Sequence, residues 1–436
     1  MKRLPLALAL FLAFSPLTAR ALSLQEGLKI VAETGRDVQI ARSDEDVARA
    51  SVSLARSPWL PWVDVYGRET WLKYQPASVL PFSIPGTSTN SIPVSQDQFL
   101  TYGVRATQLL YDFGKTSSSI DAAQNGLKAR EIGTDRLKNQ AALDFITMYL
   151  DLLESQKLLQ VAREEVQQYE AHKKDTEARY GAGVVTKNEV LQATVTLADS
   201  RQRLLTAENL QSLRESKLNS LLLKPLNDAI QPDEIRASPS AGMTLEDAWI
   251  SAEASRALLK EMDAAIAAKE QNVKTAQAEY LPTFYVSGGY EYSENRYMVH
   301  QDNWSAIAGV NINLSSGGAS RSRAALARAE LRSLRLSRDK LLDGIRLEVK
   351  AAYLDLQSSA QKIEVTKTAV AQAEENLRLQ RLRYREGVGT ATEVLDAVTL
   401  LTTAESNSWK SLYGFKRAEA VLLNAAGKDL VSAYGN

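Results

Sequence analysis

"RYGAGVVTKNEVL" occupies Arg179–Leu191, and "RYREGVGTATEVL" repeats its pattern at Arg383–Leu395. The two stretches align at an offset of 204 residues, with tyrosine, glycine, threonine and glutamate in matching places. Glycine accepts the left-handed backbone that ends many helices, and Thr-x-x-Glu is a capping box that begins one. Each stretch therefore predicts a tight turn between two helices, and the duplication predicts two such hairpins in one chain.

The segments before the two turns contain no proline and few glycines, from about residue 115 to 180 and from about 320 to 384. Mainly apolar residues recur there at every seventh position, which is typical of helices that supercoil against a partner helix. In the second copy these positions are Val349, Leu356, Ile363, Val370, Leu377 and Tyr384. At about 1.5 Å per residue, such a segment would form a helix on the order of 100 Å long. Each turn is therefore predicted to be the far tip of a long coiled coil.

Four other segments alternate apolar and polar side chains with the period of two that is typical of strands. They run from about 62 to 74, 99 to 110, 283 to 293 and 304 to 314. Each is long enough to cross a bilayer at a tilt, and tyrosine or tryptophan lies near several of their ends. An ordinary soluble sheet is the alternative. Because four strands cannot close a barrel, and an open edge in lipid leaves backbone groups unpaired, several chains are expected to share one barrel.

The N-terminus and the composition limit the classes of function. Residues 1–21 combine a basic start, a short apolar run and a small-residue ending, which predicts a cleaved signal peptide. Lysine plus arginine and aspartate plus glutamate each number 52, so no nucleic-acid partner is expected. The chain has no cysteine and two isolated histidines, His172 and His300. We therefore expect no metal site, no cofactor and no enzyme activity.

Repeated motifs divide the mature chain into two halves that are each predicted to read helix, strand, strand, helix, turn, helix. The first repeat spans 22–223, with its tip at 181–186 and a returning helix that runs to about 223. A linker with three prolines follows at 224–242. The second repeat spans 243–425, with its tip at 385–390 and a returning helix to about 425, and residues 426–436 form a C-terminal tail.

The signal peptide, the duplicated unit and the "RYxxGxxTxxEVL" pattern at both tips resemble the outer-membrane efflux protein (TolC) family over the whole mature chain. The resemblance implies a mainly α protein with a transmembrane β part. It implies a homotrimer in which twelve strands form an outer-membrane β-barrel that is continued by a periplasmic α-barrel tunnel of twelve helices. The implied partners are outer-membrane lipid, a periplasmic adaptor (membrane fusion protein) and an inner-membrane transporter of the RND, ABC or MFS type.

On this resemblance the chain is expected to be the outer-membrane channel-tunnel of a tripartite efflux or type I secretion system. Its expected location is the cell outer membrane, with the tunnel extending into the periplasm. Drugs, metals, metabolites and polypeptides all stay open as cargo. The alternative is a periplasmic coiled-coil adaptor or scaffold protein, which would not need two pairs of membrane-length strands.

Two sets of residues near the turns are predicted to carry this function. The first set is expected to contact the adaptor and consists of Gly181, Gly183, Val184, Thr186, Gly387, Val388, Gly389 and Thr390. For the glycines, building the turn is the alternative role.

The second set is acidic and is expected to narrow the pore: Asp396, Glu393 and Glu189. The run from Glu393 to Asp396 matches one whose second acid lines the constriction in the family, and threefold symmetry would triple each charge. Capping is the alternative for Glu189 and Glu393, because both occupy the fourth position of a capping box. Asp396 has no such position, and Gln192 replaces it in the first repeat.

Overall fold

The computed structural model describes residues 22–82, 90–235 and 242–435. The predicted signal peptide, residues 1–21, lies outside the described residues, as do residues 236–241 of the predicted linker. The chain divides into two compact units. Among described residues, the helical unit comprises those within 22–40, 134–257 and 342–435, and the sheet unit those within 41–133 and 258–341.

The helices and strands follow one another along the chain in two similar series. The first series is α1 (Leu24–Thr34), α2 (Arg36–Arg56), a 3-10 turn (Ser57–Trp59), β1 (Trp62–Trp71), β2 (Ala77–Val79), β3 (Ser91–Pro93), β4 (Gln98–Tyr111), α3 (Lys115–Gly181) and α4 (Lys187–Leu221). The second is α5 (Leu245–Ser255), α6 (Ala257–Ala278), β5 (Thr283–Ser293), β6 (Asp302–Asn311), α7 (Ala319–Arg385), α8 (Ala391–Ala425) and α9 (Leu430–Tyr434). In the described part of the chain, no helix has both the length and the apolar character that crossing a membrane requires.

Side-chain caps begin the first helix of each series. The Ser23 hydroxyl accepts a hydrogen bond from the backbone N–H of Glu26 at 3.2 Å. The Thr244 hydroxyl accepts one from the backbone N–H of Asp247 at 3.2 Å, and the Asp247 carboxylate accepts one from the Thr244 N–H at 3.3 Å. The prediction of a single helix before the strands of each repeat is wrong, because two helices are present there. Gly35 ends α1, and Arg256, with a ψ of 115°, ends α5.

The main sheet of the sheet unit has four antiparallel strands in the order β1-β4-β5-β6. The register sets chiefly apolar residues opposite one another on one face, and we call this the apolar face. Its members include Val63, Val65, Trp71, Leu100, Tyr102, Val104, Val286, Tyr290, Tyr292, Trp304 and Val310. The opposite face is mainly polar, and there the Tyr66 hydroxyl donates a hydrogen bond to the Glu291 carboxylate at 2.7 Å. Alternation with a period of two therefore extends across the whole sheet.

Aromatic rings of the apolar face gather toward the hairpin end of the strands. Tyr102 stacks on Tyr292 with ring centroids 5.2 Å apart, and Tyr290 lies against Trp304 at 5.0 Å. Aromatic residues at one level of such a face are typical of a membrane–water boundary.

Strand lengths differ from the sequence prediction in two places. β1 ends at Trp71, where the prediction reached residue 74. The Leu72 N–H still donates to the Asp97 carbonyl at 2.7 Å, and beyond it the chain leaves the main sheet. It continues into the small β2–β3 hairpin, which the sequence pattern does not predict. β6 begins and ends earlier than predicted, at Asp302 and Asn311.

A hydrophobic core in the helical unit joins α1, α3, α8 and α9. Phe145, Ile146 and Tyr149 of α3 are fully buried in it, together with Leu430 of the C-terminal α9. The Tyr149 hydroxyl donates a hydrogen bond to the Leu22 carbonyl at 2.9 Å. The predicted tail at 426–436 therefore includes a short helix that is part of this core.

Candidate functional site at the two tips

The turn between α3 and α4, which we call the first tip, ends its helix by backbone hydrogen bonds. Gly183 adopts a φ of +69°, and its N–H donates to the Tyr180 carbonyl at 2.9 Å. The N–H of Val184 donates to the Arg179 carbonyl at 2.9 Å. These two bonds form a Schellman motif, in which glycine accepts the left-handed conformation at low cost.

The turn between α7 and α8, the second tip, has the same geometry at the same offset. Gly387 has a φ of +76°, its N–H donates to the Tyr384 carbonyl at 3.2 Å, and the Val388 N–H donates to the Arg383 carbonyl at 3.0 Å. The duplicated sequence therefore produces a duplicated backbone.

Capping boxes begin the helix that leaves each tip. In the second tip, the Thr390 hydroxyl accepts from the Glu393 N–H at 3.2 Å and the Glu393 carboxylate accepts from the Thr390 N–H at 2.9 Å. In the first tip, the Glu189 carboxylate accepts from the Thr186 N–H at 3.3 Å. The predicted capping geometry is thus present at both Glu189 and Glu393.

Asp396 differs from these two glutamates. It is exposed one turn into α8, and none of the residues that the structure describes forms an ion pair or hydrogen bond with its carboxylate. Its charge therefore faces solvent in the single chain, although the neighbouring Val394, Leu395 and Ala397 are buried.

The residues predicted to contact an adaptor lie at the ends of the hairpins. Val184 and Val388 are largely exposed, as are Gly181, Gly183, Thr186, Gly387 and Thr390, and Gly389 is half-buried. An added Cβ at Gly389 would come within 3.0 Å of the Arg383 Cβ, so this glycine is also needed for packing. Gly181 is helical and would meet no atom within 4 Å.

The two tips pack together through a side-chain contact that the sequence did not reveal. Tyr384 of the second repeat is buried against α3 of the first, with its hydroxyl 3.4 Å from the Thr176 hydroxyl. The Arg179 guanidinium lies over the Tyr384 ring, 4.7 Å from its centroid, and donates a hydrogen bond to the Arg385 carbonyl at 3.3 Å. The imidazole of His172 also lies against the Tyr384 ring, with the ring centroids 5.4 Å apart.

His172 is buried in this contact with Tyr384. Burial lowers the pKa of its imidazole, with Asp175 opposing that shift and Arg381 adding to it. The ring Nε2 has no hydrogen-bond partner among the described residues. The contact of this ring with Tyr384 fits a packing role, and no group of three or more His, Cys, Asp or Glu in the described chain could hold a metal ion.

Apolar side chains from four helices surround this contact and form a core at the tip end of the helical unit. The members are Val166, Tyr169, Leu197, Leu377, Tyr384, Ala391, Val394, Leu395, Ala397 and Val398. The Tyr169 and Thr399 hydroxyls are hydrogen-bonded at 2.9 Å and link α3 to α8. Both hairpins of one chain are therefore fixed to each other near their tips.

The fold is that of a known class of outer-membrane protein. The crystal structure of the outer membrane protein VceC from Vibrio cholerae superposes with a TM-score of 0.77 at 18% identity, covering 93% of this chain and 96% of that one.

The sequence comparison gives the family. The chain belongs to the outer membrane efflux protein family, whose sequence profile matches residues 28–222 and 250–428. Nodulation protein T of Rhizobium leguminosarum bv. trifolii is 21% identical over 398 residues, which cover 90% of this chain and 82% of the relative. The outer membrane efflux protein BepC of Brucella suis biovar 1 (strain 1330) is 20% identical over 341 residues, or 77% of this chain and 74% of the relative. The chain is therefore an efflux protein of the outer membrane, and its family implies an adaptor and an inner-membrane transporter as partners.

Proposed function

We propose that three copies of the chain form one continuous channel-tunnel, which carries efflux or type I secretion substrates from an inner-membrane transporter and its adaptor to the cell exterior. The main support is the four-stranded sheet. Its outer strands, β1 and β6, have no partner on their outer edges within the described residues. In lipid such edges are prohibitively costly, so the sheet needs further copies to close.

The two faces of the sheet support a barrel with lipid outside and water inside. Val65, Trp71 and Trp304 of the apolar face are largely exposed in the single chain, as lipid contact requires. The polar face carries Tyr66 and Glu291 toward the proposed lumen. Two copies would give only eight strands, whose interior is filled by side chains. Three copies give twelve and leave room for cargo.

The tips are the proposed docking site for the adaptor. Val184 and Val388 support this assignment, because each is an exposed apolar side chain at the end of a hairpin. The other proposed contact residues are Gly181, Gly183, Thr186, Gly387, Gly389 and Thr390. A partner that also uses helical hairpins could cover both valines at little cost in polar desolvation.

Asp396 is the proposed constriction residue. Threefold symmetry would place three of its carboxylates around the axis, and a ring of acids favours cations. The unpaired state of Asp396 supports this role. Glu189 and Glu393 would add charge near the ring while their carboxylates stay hydrogen-bonded in the capping boxes.

Transport without catalysis is the rest of the proposal. His172 packs against the Tyr384 ring, which favours a packing role over acid–base chemistry. The transporter class (RND, ABC or MFS) and the cargo stay open. A periplasmic adaptor or scaffold is the weaker alternative, because it gives no reason for a sheet with one broad apolar face.

The number of chains in the assembly tests the proposal. Protein from outer membranes should require detergent for extraction, and native mass spectrometry should give three chains per particle. A monomer that is released from the periplasm without detergent would contradict the proposal and favour the adaptor or scaffold.

A further inference from the structure

Three pairs of identical residues occupy equivalent positions in the two repeats but differ sharply in exposure. At the offset of 204, Tyr384 is 4% exposed and Tyr180 is 46%, Leu395 is 5% and Leu191 is 55%, and Val161 is 5% and Val365 is 69%. The buried member of each pair belongs to the contact between the two repeats of one chain. The exposed member of each pair therefore has the same side chain as the buried one, but no surface of the same chain covers it to the same extent.

The buried pattern defines how one repeat packs on the other. Tyr384, on α7 of the second repeat, sits against Thr176 and Arg179 on α3 of the first. Val161, also on α3, lies in a groove that α8 lines with Thr399 and Thr403. In this contact a donor repeat contributes the tyrosine, and a receiving repeat contributes the threonine, the arginine and the valine.

The second repeat carries an equivalent set of receiving positions. Thr176 corresponds to Gln380, Arg179 to Arg383 and His172 to Asn376. These side chains are half-buried or exposed in the single chain, and the Arg383 guanidinium is held near the tip by Gln380 at 3.2 Å and Glu393 at 3.7 Å. Arg383 can lie over a tyrosine ring as Arg179 does, and the side-chain amides of Asn376 and Gln380 can bond a phenol hydroxyl. The receiving site thus recurs, while Tyr180, the tyrosine equivalent to Tyr384, is exposed in the single chain.

We propose that Tyr180 of each chain packs against Asn376, Gln380 and Arg383 of the partner subunit, so that the contact between chains repeats the contact within one chain. The inference rests on the proposed trimer and names the surface that builds its tip end. The same contact between chains would bury Leu191, just as its equivalent Leu395 is buried within one chain. It would also bury Val365 of the partner subunit, just as Val161 is buried within one chain.

Heterologous head-to-tail contacts of this kind close into a ring when the rotation allows it. The proposed contact uses the first repeat of one chain and the second repeat of the next. Each chain then offers one donor and one receiving surface, and no copy in the ring is left with either exposed. In the proposed contact, Arg383 of the partner subunit would donate a hydrogen bond to the Gly181 carbonyl, as Arg179 donates to the Arg385 carbonyl within one chain.

Photo-crosslinking at the two equivalent tyrosines tests the proposal. Tyr180 is replaced by p-benzoylphenylalanine in cells that express the full chain, and irradiated membranes are analysed on denaturing gels. Position 180 should give covalent dimers and trimers, with adducts mapped by mass spectrometry to residues 376–383. The matched control is the same replacement at Tyr384, which should give adducts within residues 172–179 of its own chain and no increase in mass.

The outcomes separate the contact from the trimer itself. A three-chain particle in native mass spectrometry without interchain adducts at position 180 would overturn the proposed contact and leave the trimer standing. Adducts from position 180 to a different protein would likewise overturn it. A monomeric particle would overturn the trimer and, with it, this contact.

Two variants provide a second readout. Tyr180→Ala should dissociate from trimer to monomer roughly tenfold faster or more in detergent, since buried tyrosines are frequent hot spots. Tyr180→Phe keeps the ring and should stay within about threefold of the unmodified protein. Equal rates for Tyr180→Ala and the unmodified protein would contradict the contact.

Discussion

The two tips share a backbone but not an environment. Gly183 and Gly387 adopt the same left-handed conformation, and in both tips the glutamate carboxylate accepts a hydrogen bond from the N–H of the threonine that begins the next helix. Tyr180, at the end of the first helix of the first tip, is exposed, whereas the equivalent Tyr384 of the second tip is buried. Local sequence therefore determines the turn, whereas packing between repeats determines which tyrosine is covered.

This difference separates two kinds of information in a duplicated chain. Glycine and capping residues act within a few positions, so both copies fold alike. Burial depends on neighbours far away in sequence, and in the described part of one chain this tip contact is made once, with Tyr384 as its tyrosine. The second equivalent contact must be made with another chain or be left in water.

The largest effect should come from charges at the ends of the two hairpins. Replacing both Val184 and Val388 with aspartate should abolish export, because an adaptor contact would have to bury two uncompensated carboxylates. Folded assemblies should persist, since both side chains are exposed in the single chain. Export of a fluorescent substrate from intact cells measures the effect, with native mass spectrometry as the control for assembly.

Each single replacement sharpens the comparison. Equal losses for Val184→Asp and Val388→Asp would mean that the adaptor uses both tips alike. Full export by the double variant would show that the tips are not the docking site.

The buried and exposed tyrosines should respond unequally to truncation. Tyr384→Ala should destabilise the tip core by about 3–5 kcal/mol, as the loss of a large buried aromatic side chain does. Tyr180→Ala should change the stability of a monomeric chain by no more than about 0.5 kcal/mol. Hydrogen exchange of the amides in 172–190 and 376–394, in chains kept monomeric in detergent, measures both. Equal changes for the two variants would refute the difference in packing.

A smaller effect is expected at the turn glycines. Gly183→Ala and Gly387→Ala should each cost about 1 kcal/mol, because alanine resists the left-handed conformation even where no atom lies within 4 Å. Gly181→Ala is the matched control, since Gly181 is helical and the replacement should be neutral or slightly stabilising. The same exchange measurement applies. A cost at Gly181 equal to that at Gly183 would show that crowding, not backbone conformation, fixes the turn.

Much of the fold could be predicted from the spacing of apolar residues and from the residues that end or begin helices. The seven-residue repeat and the Gly-to-Thr spacing indicate the long hairpins, and the period of two indicates the four strands of the main sheet. The breaks at Gly35 and Arg256 were missed because a single residue in extended conformation leaves no periodic signal. The β2–β3 hairpin was missed because strands of three residues are too short to show alternation.

The candidate site was predictable only in part. Capping boxes at Glu189 and Glu393 follow from spacing, and the structure has the expected hydrogen bonds. The contact of Tyr384 with Thr176 and Arg179 joins residues more than 200 positions apart in the sequence. Because both repeats have the same tyrosine, the sequence does not indicate which of the two is buried. Only the three-dimensional contact distinguishes them.

Asp396 offers the most direct test of a gated duct, because Gln192 holds the equivalent position in the other repeat. The purified protein in planar bilayers should conduct with cation selectivity and be blocked by multivalent cations. Asp396→Asn should weaken both properties, and Gln192→Asn, the neutral control, should change neither. Absence of conductance in the unmodified protein would contradict the duct, and unchanged selectivity and block in Asp396→Asn would contradict the acidic constriction.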